Sequence, residues 1–242
     1  WPENAMDINP LANPEIANFA DLISTETGAP FIFGTITEDG DKMFNSALMW
    51  EAGKGAVDQY DKVHPVPFAE YLPEREFFYP LAPDLFDMVP RDYTLGTRDP
   101  VFEFNGVKAG IAICFDIVDD RLFRSILADG ANVIIAPTNN SDFGHTDENI
   151  QQLGIARMRA VETGRAVVNT STVGVSAIIA PDGSDIDRLT PFEPGVMLAD
   201  VPLSTVVTPA SVIGLPLEWA LIIGGVVPLF APLVRRRWGA DA

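Results

Sequence analysis

Cysteine occurs once in these 242 residues, at Cys114, and histidine twice, at His64 and His145. A single thiol excludes an intramolecular disulfide framework and a Cys-rich zinc site, and two histidines leave no His-rich metal site. No metal or cofactor is therefore implied. Basic residues are also scarce: 16 Lys and Arg stand against 34 Asp and Glu, for a formal net charge of −18. Nucleic-acid binders carry the opposite balance, so no nucleic-acid partner is expected. Apolar residues are plentiful, at 47%. That excludes a disordered chain and leaves material for one large domain, or one domain plus an appendage.

The chain opens on Trp1-Pro2-Glu3 without a signal peptide. These residues read as the end of a strand whose earlier residues are missing, so the first strand is expected to be truncated. At the other end, no residue from Trp219 to Val234 is charged, and extending back to Ser211 adds only Glu218. About 20 residues at about 1.5 Å each cross a bilayer core. Arg235, Arg236, Arg237 and Trp238 follow at once, as basic and aromatic residues do on the cytoplasmic side of a span. A transmembrane helix over 211–234 is expected, with a cytoplasmic basic tail over 235–242. The acidic body then lies outside the cytoplasm, and the membrane bilayer is a partner. Pro228 and Pro232 are better tolerated in a span than in a soluble core helix.

Between the ends, Asn13-Pro14 signals a helix start and Gly28 its stop. PFIFGTIT, KMFNSALMWE and GAVDQYDKV predict a three-strand meander. Residues 72–99, rich in proline and aromatics, predict a long structured loop. VKAGIAIC predicts a buried strand ending at Cys114, followed by a helix over 119–129. ANVIIAPT is the next strand and ENIQQLGIARMRAVETG an amphipathic helix closing at Gly164. RAVVNTS, GVSAIIAPDG and GVMLADVPL complete the strands. Strands and helices in this alternation point to an α/β domain with helices outside the sheets.

Cys114 sits where a strand turns towards a helix, a place that projects a nucleophile beside backbone N–H groups. A thiol needs a base. His64 is one candidate, although no orienting partner can be assigned to it. Lys62 and Glu70, in the same segment, offer an oxyanion donor and a carboxylate.

Three blocks together resemble the nitrilase, or carbon–nitrogen hydrolase, superfamily: Trp1-Pro2-Glu3, the stretch Tyr60-Asp61-Lys62-Val63-His64-Pro65-Val66-Pro67-Phe68-Ala69-Glu70, and Ile113-Cys114-Phe115-Asp116. Within it, VPFAEYLP, ARMRAVETGR and the apolar C-terminal run look most like the apolipoprotein N-acyltransferases. The resemblance covers essentially the whole chain. It implies a nitrilase-like four-layer αββα sandwich over 1–210. It implies Glu3 as general base, Lys62 as stabiliser of the tetrahedral intermediate and Cys114 as nucleophile. Glu70 would be the second carboxylate beside the lysine, and the backbone N–H of Phe115 would join the oxyanion hole.

The implied reaction moves a fatty acyl chain from a phospholipid acyl donor, through a Cys thioester, to the α-amino group of a diacylglyceryl-modified lipoprotein acceptor. The implied setting is the bacterial cytoplasmic membrane, with the catalytic domain on its extracytoplasmic side. The family commonly carries LVPFGE and Cys-Tyr-Glu where this chain has PVPFAE and Cys114-Phe115-Asp116. Asp116 keeps the charge on a side chain one methylene shorter.

Asn139, Asn140, Ser141 and Asp142 follow a strand at the end that carries Cys114, so Asn139 and Ser141 are candidate pocket residues. An ordinary polar loop reads the same way. Phe77, Phe78, Tyr79, Leu81, Leu85, Phe86 and Met88 suit a lid over a lipid entrance, or a loop pinned by its aromatics. His145, Arg157 and Arg159 read as structural. Two rivals stand beside the acyltransferase. One is a soluble amidase or nitrilase using the same residues on a small amide, against which the apolar run counts. The other is an inactive interaction module, against which the intact Glu3, Lys62 and Cys114 count.

Overall fold

A computed structural model describes residues 1–89 and 92–238. The chain divides into two compact units, Trp1–Thr205 and Val206–Ala242.

In the first unit, helix α1 spans Pro14–Thr27 as the sequence predicts. Asn13 Oδ1 accepts the N–H groups of Glu15 and Ile16, Pro14 occupies the first turn, and Gly28 leaves at φ 61°, the left-handed conformation that suits glycine. Strands β1 (Phe31–Asp39), β2 (Lys42–Glu51) and β3 (Gly55–Asp61) form an antiparallel meander. The two-residue side-chain period divides β2 between two layers. Leu48 and Trp50 pack with Ala20 of α1, while Ala47 and Met49 face the second sheet.

The second sheet has six strands in sequential order: β4 (Val101–Phe104), β5 (Val107–Ile111), β6 (Val133–Thr138), β7 (Val167–Ser171), β8 (Ala177–Ile179) and β9 (Asp185–Arg188). Strands β5, β6 and β7 run parallel, so each crossover carries a helix: α4 (Asp120–Ala128) and α5 (Glu148–Thr163). Leu122, Phe123 and Ile126 of α4, with Leu153, Ala156 and Ala160 of α5, join the core that covers this sheet. Parallel strands covered on both faces are apolar throughout, as Val133, Ile134 and Ala136 are. The order helix, sheet, sheet, helices is the expected αββα sandwich.

Three details differ from expectation. The strand before the cysteine ends at Ile111, and Cys114 opens a 3-10 turn over Cys114–Val118. The stretch 195–203 forms no strand; the last ladder is β9, and Val196 and Leu198 are exposed. Its apolar pattern found no backbone partner, and Leu198 N–H donates to the Asp187 carboxylate instead. Within 72–99 there are two one-turn helices, α2 (Arg75–Phe78) and α3 (Pro83–Phe86), joined by a 3-10 turn at Tyr79–Leu81. Phe68 stacks edge-on to Phe78 and tilts over Phe86, while Phe77, Leu81, Leu85 and Met88 stay exposed. This loop thus both pins itself and presents apolar surface.

In the second unit, helix α6 spans Pro209–Trp238. Thr208 Oγ1 accepts the N–H of Ser211 at its start. The window Pro209–Val226 has a mean hydropathy of 1.5, long and apolar enough to cross a membrane. Of the expected basic tail, 239–242 lies outside the described residues.

Candidate active site

The first residues run beside β1. Gly34 N–H donates to Pro2 O, Met6 N–H to Gly34 O, and Thr35 Oγ1 to Met6 O. A Cβ on Gly34 would stand 2.6 Å from both Glu3 Cα and Asn4 N, so only glycine lets this segment lie so close. Glu3 is thereby aimed into the interior, 2% exposed.

Lys62 follows β3 directly, and its backbone N–H still bonds Asn45 O of β2. Its side chain is 1% exposed, with Nζ 3.0 Å from Glu3 Oε1 and 2.8 Å from Glu70 Oε2. Glu70 is held in turn by the Val66 N–H, 2.6 Å from its Oε2. Asn45 Nδ2 donates to both carboxylates, at 2.6 Å to Glu3 and 3.1 Å to Glu70. The backbone N–H of Asn139 reaches the second Glu3 oxygen at 2.7 Å. Burial by itself would lower the Lys62 ammonium, but Glu3, Cys114 and Glu70 outweigh it and hold the group above its ordinary value.

Cys114 shares a cavity of about 610 Å³ with Glu3, Lys62 and Glu70. Its φ is 49°, a left-handed conformation that costs a side-chain-bearing residue roughly 1–2 kcal/mol. The turn is held by Asp116, which is fully buried. Asp116 Oδ2 accepts from Ile113 N–H at 3.1 Å and from Tyr60 Oη at 2.9 Å, and Oδ1 accepts from His64 N–H at 2.8 Å. One carboxylate therefore ties the cysteine turn to the strand and loop that bracket Lys62. Burial raises Asp116 to about 6, against the opposing effects of Lys62, the Tyr60 hydroxyl and the two backbone N–H groups. Burial and then Glu3 push the Cys114 thiol up to about 11, with Lys62, Thr138 and Gln152 acting the other way. The resting sulfur is protonated and needs a base; Glu3 lines the same cavity.

His64 is not part of this group. Its ring turns to Asp119 Oδ2 at 2.9 Å and its side chain is half exposed, so the Cys–His pairing is not formed. Asn139 and Asp142 line the cavity, whereas Ser141 does not; its N–H and hydroxyl bond Asn139 Oδ1 in an Asx turn. Asn140 is buried beneath the loop. Phe115 lines the cavity and is 38% exposed. His145 is exposed and lies against Phe192. Arg157 pairs with Asp185, and Arg159 with Asp120 and Glu162, which are structural bonds as expected.

Sequence reasoning passed over Asn45, Thr138 and Gln152. Gln152 Nε2 lies 3.4 Å from Cys114 Sγ and 2.7 Å from Thr138 Oγ1. The only signals were single polar residues inside apolar patterns, Asn45 in FNSALMW and Gln152 on the buried side of α5.

Comparison with known proteins agrees with this architecture. A family model described as carbon-nitrogen hydrolase matches residues 2–208. The chain is 35% identical to the apolipoprotein N-acyltransferase of Mycolicibacterium smegmatis, over 99% of this chain and 42% of that protein. It is 36% identical to apolipoprotein N-acyltransferase 1 of Treponema pallidum, over 67% of this chain and 30% of that protein. The chain thus spans less than half the length of these curated relatives. Among solved structures, an amidase from Nesterenkonia sp. superposes with a TM-score of 0.57 at 18% identity, covering 81% of this chain and 69% of that one. Nit3 of Saccharomyces cerevisiae, a member of branch 10 of the nitrilase superfamily, gives 0.58 at 18% identity, covering 78% and 65%. At that identity the likeness is one of fold.

Proposed function

The chain belongs to the carbon–nitrogen hydrolase family, and from that premise we propose that it is the catalytic portion of an apolipoprotein N-acyltransferase. It takes a fatty acyl chain from a phospholipid onto Cys114 and passes it to the α-amino group of a diacylglyceryl-modified N-terminal cysteine. The observation that carries this reading is the shared cavity: one thiol, one buried lysine, the buried Glu3 carboxylate and the partly buried Glu70 carboxylate.

Glu3 takes the thiol proton as Cys114 Sγ attacks the ester carbonyl. The Lys62 ammonium and the Phe115 backbone N–H balance the oxyanion, and beside a buried lysine that charge is worth more than in solvent. The tetrahedral adduct collapses, the lysophospholipid alkoxide leaves and takes the proton from Glu3, and a thioester remains. The acceptor amine then attacks the thioester, gives its proton to Glu3 and expels the sulfur, which recovers the proton. Glu70 and Asn45 hold Lys62 and Glu3 in place throughout.

The relatives' names supply the acyl acceptor class, and helix α6 supports a membrane setting over a soluble amidase. We place its apolar stretch across the bilayer, with Arg235–Arg237 on the cytoplasmic side and the sandwich on the other. Intact-mass analysis after incubation with phospholipid vesicles tests the reading. A single fatty-acyl adduct, lost in Cys114→Ala, is expected; an unmodified wild-type chain overturns it.

A further inference from the structure

The scheme above leaves two polar neighbours of the Cys114 sulfur unused, Thr138 and Gln152. Gln152, on α5, directs Nε2 at Cys114 Sγ and Thr138 Oγ1. The oxygen end of the same amide is occupied, because Asn140 Nδ2 donates to Gln152 Oε1. Asn140 is 2% exposed, and its own oxygen accepts the Ser171 hydroxyl at 2.5 Å. Ser171 Oγ accepts the backbone N–H of Gly174 at 2.9 Å. The packing here leaves no spare room: a Cβ on Gly174 would stand 2.7 Å from Asn140 Oδ1 and 2.8 Å from Ser171 Oγ. Donors therefore run in one direction, from a backbone N–H through a hydroxyl and two amides to sulfur.

That direction has a chemical consequence. A side-chain amide presents either N–H or carbonyl oxygen, and an anionic sulfur is stabilised by the first and repelled by the second. Lys62 cannot supply the same discrimination. It lies against Glu3, so it stabilises the base's carboxylate as well as the thiolate. A donor on sulfur alone favours movement of the proton from sulfur to Glu3.

We infer that Gln152 is a catalytic residue of the proposed reaction, giving its N–H to the Cys114 sulfur whenever it becomes anionic, and that Asn140 and Ser171 are positioning residues that hold the amide in that direction. The inference rests on Cys114 being the acyl-carrying nucleophile. The sulfur gains negative charge twice in each turnover, once as it loses its proton to Glu3 and attacks the ester and once when the amine expels it. The charged groups around it are Glu3, Lys62 and Glu70, with Asp116 in its own turn and Asp142 and Glu148 on the cavity wall; the substitutions below leave all six in place.

Cys114 is the only cysteine, so alkylation of the whole chain by iodoacetamide reads this thiol alone. Below the titration midpoint, the rate follows the thiolate fraction. Gln152→Glu and Gln152→Met should each lower the rate at about pH 9 roughly tenfold, a shift of about one pH unit in the profile. Asn140→Asp, which cannot donate to Gln152 Oε1, should shift the profile in the same direction. Acyl-adduct formation from phospholipid vesicles should fall with it. If Gln152→Glu fails to fold, Gln152→Met decides. Profiles that superpose on the wild type in folded variants overturn the inference while leaving the acyltransferase reading intact. Absence of an acyl adduct on the wild type overturns that reading instead, whatever the alkylation profiles show.

Discussion

Lys62 and Glu3, 59 positions apart in the chain, meet at 3.0 Å with both side chains buried. Their pairing gives the ammonium a structural part beside its proposed catalytic one, since removing it strands the buried Glu3 carboxylate and leaves the partly buried Glu70 without its cation. Lys62→Ala should therefore lower acylation at least a hundredfold and also cost about 3–5 kcal/mol of stability. Denaturant unfolding beside adduct mass measures both, and wild-type stability would show that the pair is not coupled to folding.

Glu3→Gln should produce two effects of opposite sign. Acylation should drop by about 10²-fold or more if Glu3 is the base, as proposed. Alkylation of Cys114 below its midpoint should become faster, since Glu3 is one of the groups holding the thiol up. Parallel losses in both assays would argue against Glu3 as the proton acceptor.

Cys114→Ala and Cys114→Gly should both lose the acyl adduct completely. They should differ in stability, because the position sits at φ 49°. The glycine variant should be more stable than the alanine variant by about 1 kcal/mol, against the usual cost of glycine. Chemical unfolding of the two inactive proteins gives the comparison directly.

Asp116 carries a pH signature. Its carboxyl is raised from 3.8 to about 6 by burial, so the folded state holds that proton more tightly than the unfolded state. Its stabilising contribution is complete below about pH 4 and is lost as the pH rises through about 6. The stability difference between wild type and Asp116→Asn should change by about 3 kcal/mol across that window and be constant above pH 7. A difference that stays constant throughout would show that Asp116 does not titrate there.

Gly34→Ala should act at a distance from the chemistry. The added methyl would stand 2.6 Å from Glu3 Cα and must push the segment that carries Glu3 off β1. Acylation should fall at least tenfold by the cost of misplacing a reacting group. Alkylation of Cys114 should remain, as a check on the fold.

Local signals were sufficient where one residue determines a conformation. Asn13-Pro14 and Gly28 bound α1 correctly because a cap and a left-handed stop act within one turn. They were insufficient where a partner decides. Residues 195–203 carry strand-like apolar residues yet join no strand ladder, while β9, whose run DIDR has little apolar character, closes the sheet edge. The roles assigned to Glu3, Lys62 and Cys114 came from matching three blocks to a family; that the three line one cavity is a three-dimensional fact. Asn45 and Gln152 were illegible for a related reason. A buried polar side chain is recognisable by what it satisfies, and Glu3, Glu70 and Cys114 lie far from them in sequence. Asp116 was noticed as a shortened family residue, whereas its three hydrogen bonds reveal a brace between the nucleophile's turn and the flanks of Lys62.

The protonated resting sulfur has a further effect. Peroxides and foreign disulfides react with thiolates and are slow towards thiols. A cysteine pushed up to about 11 by burial and then by Glu3 is thus less open to oxidation at rest, and in the proposed mechanism it becomes reactive when Glu3 removes its proton. On the proposed reading, that restraint preserves the sulfur between turnovers.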